Sequence, residues 1–508
     1  MLAKVMSYGL WGLGAYPVEI EVDVSNGLPY VTLVGLADAA IKESKARVKA
    51  AIKNAGFSWP DERITINLAP SDVKKEGAGF DLSIALGILA ASRQLNYEKL
   101  KEYYFLGELS LDGGLRPCRG ILPIGLAVAK EICKNLVIPA PNAREAGFLS
   151  EVSVYPIATL TQAVALLDTP SPFPPLRLEA PAAWQDLASY TIDFSEVKGQ
   201  YHAKRALEVA VAGGHNVAMI GPPGSGKTML AQRIPTIMPG ITQEESLEVT
   251  RIHSVLGTLP ARDGIMATRP FRSPHHNISA VALAGGGSPP QPGEITLAHH
   301  GVLFLDELPE FHRDCLEALR QPLEEGQIRV SRIKRSVVFP AACMLVVALN
   351  PCPCGYFTDP RRACRCSSTQ IHRYIGKISG PLLDRIDIHI ELPAVKYKEL
   401  SDTDDAEPSC AVKARVTQAR ALQQERFLHE GIFCNARMGP ALIKRHCALG
   451  QDAKGLLRMA MTELGLSARA YDKILKVSRT IADIGGAEQI AAEHISEAIQ
   501  YRSLDRQW

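Results

Sequence analysis

Residues 217–234, VAMIGPPGSGKTMLAQRI, leave this chain little choice of fold. Four apolar strand-formers, Val217 to Ile220, run into a turn too rich in glycine to extend the strand, and helix-formers follow. Glycines 221, 224 and 226 reach backbone conformations closed to other residues, so successive N–H groups can turn inward around an anion. Strand, glycine loop and helix in that order belong to an α/β sheet whose loop sits at the head of a helix. In such a loop Gly221, Pro222, Pro223, Gly224, Ser225 and Gly226 enclose phosphate oxygens. Lys227 reaches the outer phosphates, and the Thr228 hydroxyl is a ligand for Mg2+. The expected cofactors are ATP and Mg2+.

Further motifs supply the chemistry this loop needs. GVLFLDEL reads as a buried strand, Val302 to Leu305, ending in Asp306 and Glu307. A carboxylate at that strand end gives Mg2+ a second anchor, hence Asp306, while Glu307 is placed to orient and deprotonate water. A third strand, MLVVALN, ends at Asn350, which either touches the terminal phosphate or its attacking water, or simply turns the chain before Pro351. In SGPLLDRIDIHIEL, Arg385 stands between Asp384 and Asp387. It pairs with those neighbours or, in a ring, faces the next subunit's ATP and stabilises transition-state charge. LSARAYDKILKVSRTIADI has helical periodicity through Tyr471, Ile474, Leu475 and Ile481, with Arg469 at its start in reach of phosphates.

This order of motifs resembles the AAA+ ATPases, in the branch that contains the magnesium-chelatase motor subunit and the MCM helicases. GPPGSGKT, PGEITLAHHGVLFLDEL, SGPLLDRIDIHIE and SARAYDKILKVSRTIAD carry the likeness. Within that branch the chain resembles the bacterial YifB/ComM family over nearly its whole length. The resemblance implies sensor roles for Asn350 and Arg469, an arginine finger at Arg385, and assembly as a homo-hexamer. It also implies a DNA motor, a helicase or branch-migration enzyme promoting homologous recombination and the integration of DNA during natural transformation. A chelatase-type motor driving metal insertion into a tetrapyrrole is the alternative, and a protease or unfoldase a third class.

Two stretches bear on what a ring would hold. About seventy residues separate the phosphate-loop helix from the Asp306 strand, more than short connections need. They are dense in Gly and Pro and include Arg262, Arg269 and Arg272; in the resembling branch an insertion here faces the central pore. GQIRVSRIKRSVVFP then masses Arg329, Arg332, Lys334 and Arg335 between two β-type runs, the pattern of a hairpin with a basic tip. In the resembling branch such a hairpin also points into the pore, where it would track the DNA backbone; alone, it is a solvated charged turn. The pairs His275–His276 and His299–His300 read as plain polar loop residues and receive no role.

NPCPCGYFTDPRRACRC puts Cys352, Cys354, Cys364 and Cys366 within fifteen residues. Two thiol pairs flanking a loop can close a tetrahedral Zn2+ site, although C-x-C is a less usual half-site than C-x2-C. Four thiolates leave no open coordination position, so the expected Zn2+ is structural. The eleven cysteines are odd in number and otherwise scattered, which fits a reducing compartment.

Near the N-terminus, KKEGAGFDLSIALGILAAS and GELSLDGGLRPCRGILPIGLAVAKEICKNLVIP resemble the proteolytic domain of Lon proteases. That pattern needs a serine where Gly77 stands and a lysine near Leu122. Without nucleophile and base, acyl transfer has no route. Ser83 and Lys130 lie nearby but do not match the pattern.

The expected fold is α/β: a Lon-protease-like α+β domain at 1–168, a proline-rich linker at 169–190, an AAA+ P-loop domain at 191–400, and a helical lid at 410–508. Net charge is only +2, so a polyanion would be met by a local patch rather than a global field. Glu19, Glu21 and Asp23 interrupt the opening apolar stretch too early for a signal peptide, and no apolar run spans a bilayer. A cytoplasmic location with no membrane contact is expected.

Overall fold

The computed structural model describes residues 1–168, 173–176, 190–260, 264–331, 336–357, 359, 361–394 and 406–502. They form two compact units, each assembled from three stretches of chain.

The first unit comprises Met1–Leu187, Gln243–Ala267 and Gly287–Pro292. Its seven-stranded sheet runs in the order Tyr30–Val34, Arg63–Ala69, Gly14–Ser25, Leu2–Trp11, Tyr104–Phe105, Asn135–Pro139 and Ser153–Ile157. The long hairpin pairs antiparallel from Leu2↔Asp23 to Trp11↔Gly14, and alternation of buried and half-exposed residues fixes its register. Pairing turns parallel at Tyr104 and stays so to the far edge. The helix Asp81–Ala91 is buried all round, as DLSIALGILAA requires, and carries the centre of this core. Its first residue, Asp81, meets Arg47 at 3.0 Å and accepts from the Leu109 N–H.

The helix Gln243–Leu256 packs in this unit, not in the ATPase domain to which the sequence boundaries assign it. Its inner face, including Val249 and Ile252, is buried. Ser254 accepts from the Gly120 N–H at 3.0 Å through its carbonyl and donates to Glu145 through its hydroxyl. Arg251 donates to the Leu13 carbonyl at 2.6 Å. Part of the stretch between the phosphate-loop helix and the Asp306 strand therefore belongs to the N-terminal unit.

The second unit comprises Ala188–Thr242, Thr268–Gly286 and Gly293–Trp508. Five parallel strands run in the order Phe271–Arg272, Val302–Leu305, Met344–Leu349, Val217–Ile220 and Ile388–Glu391. The central strands are buried along their whole length, as expected for a parallel sheet with both faces covered. The glycine-loop strand is internal, so the chain leaves it to build outer strands and returns beside it. That reversal creates the crevice at the C-terminal strand ends where α/β sheets bind ligands.

The C-terminal helices Ser409–Arg426, Pro440–His446, Gln451–Glu463, Ala468–Ile484 and Ala492–Gln500 share one hydrophobic core with this sheet. Ile474 and Ile481 lie in the same buried cluster as Val209 and Val217. The buried His215 fastens sheet and helices together, meeting Asp387 at 3.1 Å and Thr480 at 2.9 Å. The basic hairpin also forms: Gln327–Ser331 pairs antiparallel with Ser336–Pro340, out to Ser331↔Ser336. Arg332, Lys334 and Arg335 at its tip lie outside the described residues, as do Arg262 and most of the expected linker. Among the described residues no helix is long and apolar enough to cross a membrane.

Candidate nucleotide-hydrolysis site

The site grows from the end of the strand Val217–Ile220. Gly224 and Gly226 adopt φ of +77° and +91°, and nothing lies within 4 Å of where a Cβ would stand on either. Both positions are open where a side chain would otherwise stand. Gly221 is required for a different reason: a Cβ there would meet the Leu392 carbonyl at 2.4 Å. The loop can lie against the last strand only if that position carries no side chain. Ser225 is buried, and its hydroxyl has no hydrogen-bond partner among the described residues.

Lys227 opens the helix Lys227–Ile237 and folds back over its own loop. Its ammonium donates to the Gly221 and Pro222 carbonyls at 2.7 and 3.0 Å and to Asn350 Oδ1 at 3.2 Å. Burial pushes its pKa down, and the charges of Asp306 and Glu307 oppose that. Register explains the reach to Asn350, because Ile220 pairs with Leu349 and sets the two strand ends side by side.

Thr228 Oγ1 donates to Asp306 Oδ2 at 2.9 Å, while Asp306 Oδ1 accepts from the Glu307 N–H at 2.9 Å. One carboxylate thereby joins the loop helix to the neighbouring strand end. Glu307 itself sits at φ +53°, a left-handed conformation that costs a residue with a Cβ about 1–2 kcal/mol. That backbone twist is a strained feature at a site of chemistry. The Glu307 carboxylate lies 3.4 Å from His276 Nδ1. The His276 ring in turn packs against His275 and meets the Phe311 ring edge-on. The sequence reading gave His276 no role, and no local pattern could have supplied one, since the contact joins segments far apart in the chain.

These residues fit ATP with Mg2+. The uncrowded glycine loop and the Ser225 hydroxyl, which has no partner among the described residues, suit phosphate oxygens. Thr228 and Asp306 already share the place a divalent cation would occupy between them. When bound, ATP supplies the phosphoryl group and Mg2+ neutralises charge on its oxygens. Lys227 would then exchange its loop carbonyls for phosphate, and Glu307 would take a proton from water.

The two distant arginines have other partners. Arg385 pairs with Glu324 and donates to the Pro381 carbonyl. The expected neighbours are engaged elsewhere, Asp384 by Arg469 and Asp387 by His215 and Lys473. Arg469 is exposed and bonds to Asp384 rather than to the phosphate loop. In the hairpin, Arg329 lies 3.8 Å from Glu325.

The four cysteines do come together. Cys352 Sγ lies 3.4 Å from Cys354 and 3.7 Å from Cys364, which lies 3.6 Å from Cys354. All four sulfurs, Cys366 included, fall within 4.8 Å of one another, and none is in a disulfide. A tetrahedron with Zn–S bonds of about 2.3 Å has edges of about 3.8 Å, so the donor set fits zinc. Backbone N–H groups of Arg365 and Tyr356 hold the Cys354 thiol down to about 6.

In the N-terminal unit the two positions of the protease pattern carry no nucleophile and no base. Gly77 stands at φ +87° with nothing near its Cβ position. Leu122 is buried, Ser83 donates to the Phe105 carbonyl inside the core, and Lys130 is exposed.

Comparison with known proteins agrees with this architecture. Residues 193–400 match the family model described as magnesium chelatase, subunit ChlI, and residues 406–502 match its C-terminal model. Residues 20–142 match subunit ChlI of Mg-chelatase, so a Lon-like N-terminal region does not set this chain apart from chelatase-type proteins. The chain is 45% identical to competence protein ComM of Haemophilus influenzae, over 99% of this chain and 98% of that one. It is 43% identical to the uncharacterized protein YifB of Salmonella typhimurium, over 99% and 98%. Lon protease 2 of Bacillus subtilis shares 29% identity over 141 residues, 27% of this chain and 26% of that one. The glycine loop, the Thr228–Asp306 contact and these end-to-end likenesses have one reading: the chain belongs to the ComM/YifB family of magnesium-chelatase-related AAA+ proteins.

Proposed function

We propose that this chain is an ATP-driven DNA motor, a helicase or branch-migration enzyme that works as a homo-hexamer in the cytoplasm. Its task is homologous recombination, in particular integration of DNA during natural transformation. The observation that carries ATP hydrolysis is the meeting of Lys227, Thr228, Asp306 and Glu307 at the C-terminal ends of the central strands. Likeness to a competence protein along 99% of the chain supports the choice of DNA as partner. The two-stranded hairpin, with Arg329 on one strand and Arg332, Lys334 and Arg335 between the strands, supplies basic groups for a phosphate backbone. Arg385 acts as the finger on a neighbour's ATP, Arg469 and Asn350 as sensors, and the four cysteines hold one structural Zn2+. The Lon-like region serves assembly or DNA contact without proteolysis.

The deciding experiment compares ATP turnover alone and with single-stranded, duplex and branched DNA. Stimulation by DNA, with strand movement on a branched substrate, supports the motor. ATP turnover indifferent to every DNA would turn attention to the second reading, a chelatase-type motor driving metal insertion into a tetrapyrrole. The three ChlI family models favour that reading.

A further inference from the structure

The cysteine cluster does more than close a loop, because of what it leans on. Cys352 stands two positions after Asn350, and Asn350 Oδ1 accepts from Lys227 at 3.2 Å. The chain then turns tightly through Gly355, whose N–H donates to the Cys352 carbonyl at 2.9 Å. Gly355 has φ +86°, and a Cβ there would lie 2.5 Å from Pro223 Cδ and 3.9 Å from Asn350 Cγ. Its backbone therefore rests directly on the phosphate loop, in the notch between Pro223 and the sensor asparagine. At the other end, Cys366 leads straight into the helix Ser368–Ile375, fixed by a capping box between Ser367 and Gln370. Tyr374, in the last turn of that helix, is buried beside the Asn350 backbone.

We propose that the metal held by Cys352, Cys354, Cys364 and Cys366 braces the phosphate loop through Gly355, so that metal occupancy sets nucleotide affinity. The idea rests on the zinc reading given above and adds to it a second, mechanical part. The described residues between Cys352 and Cys366 contain no regular secondary structure that could hold Gly355 in place. A metal ties both ends of the segment to one point, which removes the loop's freedom on the Gly355 side. Without it, Cys352, Cys354 and Cys364, whose sulfurs lie 3.4–3.7 Å apart, have no common partner to hold the two ends of the segment together. Gly355 would then leave Pro223, and the loop would lose one wall.

The test uses the full-length protein and a fluorescent ATP analogue. Zinc is counted by elemental analysis, stripped with a mercurial followed by thiol and a zinc-selective chelator, and then added back. About one Zn2+ per chain is expected. Stripping should weaken analogue binding about tenfold or more, the size of a lost charged contact, and stoichiometric Zn2+ should restore it. Gly355→Ala provides the second arm: its cysteines are intact, so it should keep its zinc yet bind the analogue more weakly. It also keeps the comparison decisive if the stripped protein unfolds, as judged by circular dichroism. Wild type that contains no zinc and takes none up overturns the metal reading. Zinc present, with stripped protein and Gly355→Ala both binding as tightly as wild type, overturns the bracing and leaves the metal a local staple.

Discussion

His276 Nδ1 stands 3.4 Å from the carboxylate of Glu307, the residue placed to activate water. In its proposed role Glu307 must be reached by water, and an imidazole at that distance competes for it. His276→Ala should therefore raise basal ATP turnover roughly fivefold, the equivalent of one contact of about 1 kcal/mol. Glu307→Gln should bind ATP with near-normal affinity and hydrolyse it very slowly, whereas Lys227→Ala should lose binding as well. Steady-state turnover beside equilibrium binding separates the cases. Near-normal turnover in Glu307→Gln would remove Glu307 from the role.

Arg385 is held by Glu324 within its own chain. If it must swing to a neighbour's ATP, Arg385→Ala should assemble and fail to hydrolyse. Mixing it with Glu307→Gln should recover part of the activity, because some interfaces then pair an intact base with an intact finger. No recovery at any ratio, in rings shown to be mixed, would mean that the Glu324 pair is its whole purpose.

The junction of sheet and C-terminal helices should be acid-sensitive. Asp387 meets His215 at 3.1 Å and Lys473 at 3.5 Å. Burial alone would raise its pKa, but Lys473 and His215 outweigh it and hold the carboxyl well below the usual carboxylate range. Lys473 is pushed down to about 8 by its burial, so it stays charged throughout the acid range. A depressed folded-state pKa gives stability that is present above the unfolded value, about 3.9, and lost as pH falls below it. Asp387→Asn should lower Tm at neutral pH, and its gap to wild type should hold down to about pH 4 and narrow as pH falls further. A gap independent of pH would exclude this linkage.

The basic hairpin tip should grip DNA without reading bases. Arg332→Ala with Lys334→Ala should weaken binding to all sequences alike and flatten the salt dependence by about one unit of slope per lost contact. Basal ATP turnover should survive while DNA stimulation falls. Affinity measured across a salt series decides it; unchanged affinity in an assembled ring would make the tip solvated charge.

The phosphate loop and the Asp306 strand were legible in the sequence because strand, turn and ligand residues there are consecutive, and backbone geometry ties each to the next. The cysteine cluster was legible for the same reason. What escaped was every pairing set by tertiary packing. The acidic neighbours of Arg385 look like its partners on paper, yet Arg469 takes Asp384 and His215 takes Asp387, which leaves Glu324. His276 looked like one of two idle histidine pairs until the Phe271–Arg272 strand brought its loop beside Glu307. The helix 243–256 shows an apolar face in sequence, but a pattern of burial does not say what covers it.

That helix has a practical consequence. The proline-rich stretch near residue 180 looks like a place to cut the chain in two, but it is a seam in the sequence and not in the fold. The N-terminal unit also contains residues 243–267 and 287–292, supplied from beyond that seam. A fragment ending at the linker would lack them, and one beginning there would carry the helix Gln243–Leu256 without the unit it packs in. Protease nicking at the linker should accordingly leave two pieces that still travel together on a sizing column. An ATPase domain prepared as a simple truncation should be poorly soluble, for reasons unrelated to catalysis.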